Sequence, residues 1–265
     1  VIEAARFLAE QNAKLSANDP LIEKDIKERT YAVLYLYERP YEKDQDEEVL
    51  WLDAMASAAA QVLGIDESHI IKKSRGHKSH KPTGTQNGPE AKGQYQKNED
   101  DEKEGLIQEQ GQIFRVDLTS YLDTGLFFDH RPLRSIVRDS CSKKRVLNLF
   151  CYTSSFSVYA AQGNASYVES VDLSNTYLDW SKENMKLNGF TDKKRYVYTR
   201  ADCMRFLQEK AVAAKSGKLA AEELYDLIIL DPPTFSNSKA TSDVLDINRD
   251  WPQLVKDCLN ILSPN

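Results

Sequence analysis

Four stretches of this sequence carry polar side chains in an order that chemistry can use. Asn148-Leu149-Phe150-Cys151-Tyr152-Thr153-Ser154 comes first and Val171-Asp172-Leu173-Ser174 second. Ala201-Asp202-Cys203 and Asp231-Pro232-Pro233-Thr234-Phe235 complete the set. A carboxylate such as Asp172 can accept both hydroxyls of a ribose, and Asp202 can receive an adenine amino group. The first stretch has no glycine-rich phosphate loop, so a dinucleotide is a poor fit. S-adenosylmethionine carries no phosphate and tolerates a looser turn. In the fourth stretch two prolines stiffen the backbone, and the Asp231 carboxylate with nearby carbonyls can face a planar, nitrogen-bearing group. Phe235 can stack on a nucleobase, worth about 1–3 kcal/mol. Each stretch also has a plain reading. A strand-end Asp caps helices, Asp-Pro-Pro makes turns, and Phe235 can pack against a sheet.

The elements that would hold these residues follow from the periodicity of the chain. After Asp129, apolar runs alternate with helical patterns. Strands are expected at Arg145–Phe150, Tyr167–Leu173, Tyr196–Thr199 and Leu227–Leu230. Helices are expected at Ser154–Ala161, Thr176–Leu187, Met204–Ala214 and Leu245–Leu262, the last interrupted by Pro252. Strands this uniformly apolar imply a parallel sheet covered on both faces, a doubly wound α/β domain, and ligands bind such sheets outside the carboxyl ends of the strands. All four polar stretches fall there. Before Asp129 the pattern is a small α+β module. A strand is expected at Tyr31–Glu38, a helix at Asp46–Leu63 closed by Gly64, a strand from Ile70, and a hairpin about Glu109-Gln110-Gly111-Gln112.

Composition excludes several classes. With 41% hydrophobic and 29% charged residues, the chain has the usage of a soluble globular protein rather than of a disordered one. No apolar run approaches the ~20 residues of a membrane helix, and no leader marks export, so no membrane partner is expected. The four cysteines (Cys141, Cys151, Cys203, Cys258) form no Cys-x-x-Cys pair. That argues against a zinc site or a disulfide framework and fits the cytoplasm, with no metal expected. Net charge is −6, against a protein coated for nucleic acid. The charge is unevenly spread: residues 1–110 carry 15 Lys/Arg against 22 Asp/Glu, whereas residues 111–265 carry 20 against 19. Within the acidic half, Lys72, Lys73, Arg75, Lys78, Lys81, Lys92 and Lys97 face only Glu90. This local strip suits phosphate contacts, although a solvated loop has the same look. Val1 is not a methionine and the chain stops just past an apparent helix, so both ends read as cuts in a longer polypeptide.

At these residues the sequence resembles the C-terminal half of the bifunctional bacterial ribosomal RNA large-subunit methyltransferase K/L family. The matching words are Asp117–Arg131, Leu147–Thr153, Asp172–Leu178, Asn184–Gly189, Ala201–Cys203 and Asp231–Lys239, with Gly93–Lys97 in the basic strip. The resemblance covers about residues 30–265. It implies a class I S-adenosylmethionine-dependent methyltransferase fold, Rossmann-like, preceded by a small α+β domain. The expected division is a helical segment at 1–29, the small RNA-contacting domain at 30–120, and the S-adenosylmethionine-binding domain at 121–265. The family pattern continues past Asn265 with the last strands of the sheet, so an unpaired edge is expected here. Its bifunctional form implies an upstream methyltransferase half as fused partner.

Carried over residue by residue, the resemblance places Asp129 and Arg131 at the methionine end of the cofactor. Asn148, Phe150, Tyr152, Thr153 and Ser154 line the first loop, Asp172 with Leu173 holds the ribose, and Asp202 with Cys203 meets the adenine. Asp231, Pro232, Pro233 and Phe235 frame the base, with Asp231 also beside the cofactor. Ser154 stands where relatives have Gly, and it either crowds the cofactor or takes a conformation that Gly adopts more cheaply. RNA contacts are expected from Lys72, Lys73, Arg75, Lys78, Lys81 and Lys97, with Tyr95 as a stacking residue. His130 has two readings, a contact to cofactor or base and a helix-start packing role.

The implied reaction is methyl transfer to N7 of a guanine in 23S rRNA, on naked rRNA or on a large-subunit assembly intermediate. N7 has an in-plane lone pair and no hydrogen, so positioning rather than acid–base work is required. Other planar acceptors remain open: the exocyclic guanine amine (N2), another RNA, or a protein glutamine. Attack from cytosine C5 requires a thiolate, for which only Cys151 and Cys203 lie at strand ends. A non-catalytic RNA-binding module is the remaining reading, and the intact Asp172, Asp202 and Asp231 argue against it.

Overall fold

The computed structural model describes residues 2–6, 28–37, 44–75, 103–236 and 244–264. Two compact units divide the chain. One is Val1–Gln108 with Arg115–Phe128, and the other is Glu109–Phe114 with Asp129–Asn265.

In the first unit β2 (Thr30–Tyr37) is the middle strand of three, rich in the β-branched and aromatic residues that pack on a pleated surface. β1 (Ile2–Arg6) pairs with it antiparallel and β3 (Ile70–Arg75) parallel. The parallel return needs a crossover, supplied by α1 (Gln45–Leu63). Asp44 starts this helix by accepting the amides of Asp46 and Glu47 at 3.0 and 3.2 Å, and Gly64 ends it at φ 65°. Ala56, Ala59 and Ala60 pack on Ala32, Leu34 and Ile70, forming a small core. β4 (Glu104–Glu109) and β5 (Gln112–Asp117) form a hairpin whose tip residues, Gln110 (φ 48°) and Gly111 (φ 88°), are both left-handed, as a two-residue turn demands.

One expectation about this region is corrected. Ile2–Arg6, expected within a helical segment, is a strand: its alanines favour helix, but pairing along β2 overrides that preference. Residues 7–27 of the same segment lie outside the described residues. By contact, residues 121–128 group with the first unit. The cause is local: the Asp117 amide donates to the Thr124 carbonyl (3.0 Å), Leu118 to Lys103 (2.8 Å), and Lys103 to the Thr119 hydroxyl (2.9 Å), so this stretch folds back on its own unit.

The second unit is built on four parallel strands, β6 (Arg145–Leu149), β7 (Tyr167–Asp172), β8 (Tyr196–Arg200) and β9 (Leu227–Leu230), in the order β8-β7-β6-β9. α2 (Arg131–Ser140), α3 (Ser155–Gln162) and α4 (Asn175–Leu187) cluster together, with α3 and α4 against the sheet. α5 (Cys203–Lys215) and α6 (Ile247–Ile261) pack on each other and on the opposite face. There Leu147, Leu149 and Val171 meet Leu207, Ala211, Leu254 and Ile261. Burial on both faces explains the apolar runs that mark these strands in the sequence. The doubly wound α/β expectation stands. The start of the last helix differs by two residues: Leu245–Asp246 is a short strand, β11, paired with β10 (Phe235–Ser236), and Asp246 then caps α6 by accepting the Asn248 amide at 3.0 Å. Among the described residues no helix is long and apolar enough to cross a membrane.

Candidate active site

Sheet register brings the four polar stretches together. Leu149, the last residue of β6, is paired with both Val171 and Leu230, and Asp172 is paired with Arg200. The loops that follow Leu149, Val171, Arg200 and Leu230 therefore leave the same edge of the sheet side by side.

The first loop is wound unusually tightly. Phe150 (φ 54°), Tyr152 (φ 50°) and Ser154 (φ 60°) alternate in the left-handed region, which costs a non-glycine residue about 1–2 kcal/mol each. The conformation is held by the backbone amides. Phe150 N–H donates to Cys203 Sγ (3.2 Å), Cys151 N–H to the Val171 carbonyl (3.0 Å), Tyr152 N–H to Asp172 Oδ2 (3.0 Å) and Ser154 N–H to the Cys151 carbonyl (2.8 Å). Ser154 is fully buried and donates to Ser181 Oγ at 2.8 Å, and Ser181 in turn bonds the Tyr152 and Tyr177 carbonyls. The Tyr152 ring meets Tyr177 edge-on at 4.5 Å. The Thr153 carbonyl accepts from Asn184 at 3.0 Å. Asn148 is placed differently from its loop neighbours: it is buried under α3, with its amide on Ser157 at 3.0 Å.

Asp172 accepts the Tyr152 amide on Oδ2 and the Ser174 amide on Oδ1 at 2.9 Å. Burial pushes its carboxyl above the usual range, and these backbone amides act in the opposite direction. The Leu173 amide acts on the same carboxylate, so three of its roughly four acceptor positions face backbone N–H groups. Leu173 follows, its carbonyl accepting from Arg200 Nε at 3.3 Å. Asp202 is a helix cap as well as a strand-end acid, accepting the Met204 and Arg205 amides on Oδ1 at 2.9 and 3.2 Å. Its Oδ2 makes no hydrogen bond among the described residues. Burial pushes the thiols of Cys151 and Cys203 well above their ordinary value, so neither side chain is poised as a thiolate.

Asp231 follows β9 directly. The loop Asp231–Thr234 is pinned at its far end, where the Thr234 carbonyl accepts the Ile247 amide (3.1 Å) and Phe235 pairs with Asp246. Across from it stands the short 3-10 turn Phe128–His130 that leads into α2. His130 Nδ1 lies 3.4 Å from Asp231 Oδ2. Burial and the charge of Asp129 push Asp231 above the usual carboxylate range, and His130 pulls it back. Arg131 Nε is on Glu109 Oε2 at 2.9 Å, and half of its side chain is exposed. Glu109 also receives Arg134 through both oxygens (2.8 and 2.8 Å) and the Tyr159 hydroxyl (2.9 Å), which anchors the start of α2.

Residues 85–264 match the model of the S-adenosylmethionine-dependent methyltransferase family. The chain belongs to that family. Among curated relatives, the ribosomal RNA large subunit methyltransferase K/L of Marinomonas sp. is 41% identical over 83% of this chain and 27% of its own length. The ribosomal RNA large subunit methyltransferase K of Neisseria meningitidis is 44% identical over 80% of this chain and 54% of its own. The chain thus spans between about a quarter and a half of the relatives it matches. A candidate methyltransferase crystallised with SAH superposes at TM-score 0.63 and 26% identity, over 89% of this chain and 53% of that one. The family's cofactor is S-adenosylmethionine, and the carboxylates of Asp172 and Asp202 stand at the edge of the sheet, with Asp202 Oδ2 making no hydrogen bond among the described residues.

Of the expected RNA contacts, Lys72 is exposed and paired with Asp53 at 2.6 Å. Lys73 is half-buried and spends its ammonium on the Tyr121 and Leu122 carbonyls (2.6 and 3.3 Å). Arg75 ends β3, while Lys78, Lys81, Tyr95 and Lys97 lie outside the described residues. Ser181, Tyr177 and Trp180 had no role in the expected site. They share one helical face with Asn184, and two buried polar side chains at that spacing are the signal that could have found them. Among the described residues no group of three His, Cys, Asp or Glu gathers as a metal site.

Proposed function

We propose that this chain is the catalytic part of a ribosomal RNA methyltransferase that methylates N7 of a guanine in 23S rRNA, free or in a large-subunit assembly intermediate. The observation that carries the reading is the 41–44% identity to proteins named ribosomal RNA large subunit methyltransferase K/L and K. S-adenosylmethionine, when bound, supplies an electrophilic sulfonium methyl. Asp172 takes the ribose hydroxyls and Asp202 the adenine amino group. Phe150, Tyr152, Thr153, Ser154, Leu173 and Cys203 shape the floor, with Asn148 bracing the strand beneath. Asp129 and the exposed end of Arg131 serve the methionine end. Asp231 accepts hydrogens from the guanine edge and orients it, Pro232 and Pro233 stiffen the loop, and Phe235 stacks on the ring.

Guanine N7 attacks through an in-plane lone pair, so the protein need not remove a proton; it aligns nucleophile, methyl carbon and sulfur. The buried, protonated thiols of Cys151 and Cys203 count against cytosine C5 chemistry, which needs a thiolate adduct. The basic strip, represented at the described surface by Lys72, serves the phosphate backbone. The test is labelled methyl transfer from S-adenosylmethionine to 23S rRNA taken from cells lacking the host enzyme, with the product nucleoside identified by mass spectrometry. Recovery of 7-methylguanosine supports the reading. Recovery of a different methylated nucleoside, or no transfer to rRNA or its particles, overturns it.

A further inference from the structure

Three ionisable groups meet where the turn before α2 faces the end of β9, and the mechanism above leaves one of them idle. His130 Nδ1 is 3.4 Å from Asp231 Oδ2, and the two side chains are 31% and 48% exposed, open to a ligand yet partly shielded. Asp129 is the immediate neighbour of His130 and its charge also reaches Asp231. The imidazole is held in place: its ring lies 5.8 Å from that of Phe156, on the first turn of α3, and α2 is anchored by the buried Glu109–Arg134 pair. The nearby Arg131 is turned to Glu109. Among the described residues, His130 is the basic side chain that lies beside Asp231 at this end of the site.

We propose that His130 is a positioning residue of the base site, offsetting Asp129 and keeping Asp231 a carboxylate that selects guanine over adenine. A carboxylate only accepts hydrogen bonds. The Watson–Crick edge of guanine offers adjacent N1–H and N2–H donors that match its two oxygens. Adenine presents an unprotonated N1 there, whose lone pair a carboxylate repels. A protonated Asp231 donates from one oxygen and loses that discrimination. Burial and Asp129 both favour the protonated form and His130 opposes them, so removing the imidazole tips the balance as the solution becomes more acid. Imidazoles are cationic in that same acid range, where the support is needed.

The assignment of guanine rests on the function proposed above; the coupling of His130 to Asp231 does not, and the experiment separates them. The full chain labelled with carboxyl-13C aspartate is titrated by NMR, with the Asp231 signal assigned by its loss in Asp231→Asn. His130→Gln is expected to raise the Asp231 midpoint by about half to one pH unit, and Asp129→Asn to lower it. An Asp231 midpoint unmoved in both variants overturns the proposal, whether or not RNA is methylated. In methyl transfer, the rate of His130→Gln relative to wild type is expected to rise with pH, and its guanine-over-adenine preference to fall at the acid end. A ratio constant across pH marks a merely structural histidine and overturns the proposal. Wild-type protein that leaves rRNA unmethylated removes the functional reading, while the titration still decides the coupling.

Discussion

Ser154 shows how a single residue balances conformation against bonding. Its φ of 60° is cheap for glycine and costly for anything else, and the cost is offset by its buried hydrogen bond to Ser181. Ser154→Gly loses the bond but relieves the backbone, so its stability is expected within about 0.5 kcal/mol of wild type, whereas Ser154→Ala keeps the strain and loses the bond, costing about 1–2 kcal/mol. Thermal unfolding should therefore rank Gly above Ala, and Ala above Gly would refute this account of the loop. Much of the edge was legible in residue types, because acids after apolar runs are placed by the sheet. Asp172, Asp202 and Asp231 all stand where the strand pattern puts them. What the residues did not reveal was which side chains were already committed. Lys73 reads as a free cation in sequence, yet its ammonium caps two carbonyls contributed by residues forty-eight and forty-nine positions away. Asn148 is expected to line the cofactor loop, yet the alternation of β6 turns it toward α3.

At the level of elements, the strands and helices of the parallel sheet were legible because their periodicity is unbroken, and Leu227–Leu230 matches residue for residue. α2 was legible only as an alternative helix start at His130: its exposed Leu133 and Ile136 blur the apolar stripe, and its buried face is built on Arg134, a residue no hydropathy pattern places inside. What fixes α2 is the ion pair of Arg134 with Glu109. Burial alone would raise the Glu109 carboxyl, but Arg134, Arg131 and Tyr159 more than compensate and hold it below the usual range. A depressed carboxylate stabilises the fold above its unfolded pKa, and the contribution is lost as pH falls through the folded value. Glu109→Ala leaves the Arg134 guanidinium buried without its partner and is expected to cost about 3–5 kcal/mol at neutral pH, read by denaturant unfolding. A loss below about 1 kcal/mol would show that the pair is not the anchor of this helix. β1 was misread for the opposite reason: its residues favour helix locally, and only the neighbouring strand decides otherwise.

On the scale of the whole molecule, the proposed function divides the work between charge and fold. The first unit carries the basic strip within an otherwise acidic stretch, and the second carries the carboxylate edge. For the proposed RNA substrate, Lys72→Glu is expected to weaken rRNA retention severalfold and to flatten its salt dependence, because each phosphate contact releases a counterion. Filter binding at two salt concentrations reads both effects, and unchanged affinity would remove Lys72 from the interface. The central claim is that the carboxyl edge of the four-stranded sheet is the cofactor site, with Asp172 as its principal acceptor. Its most direct test is calorimetric titration of S-adenosylmethionine into the full chain and into Asp172→Ala at pH 7.5. The expected result is one site per chain and a loss of roughly tenfold or more in the variant, as for a charge-assisted hydrogen bond. Equal dissociation constants for the two proteins would contradict the claim.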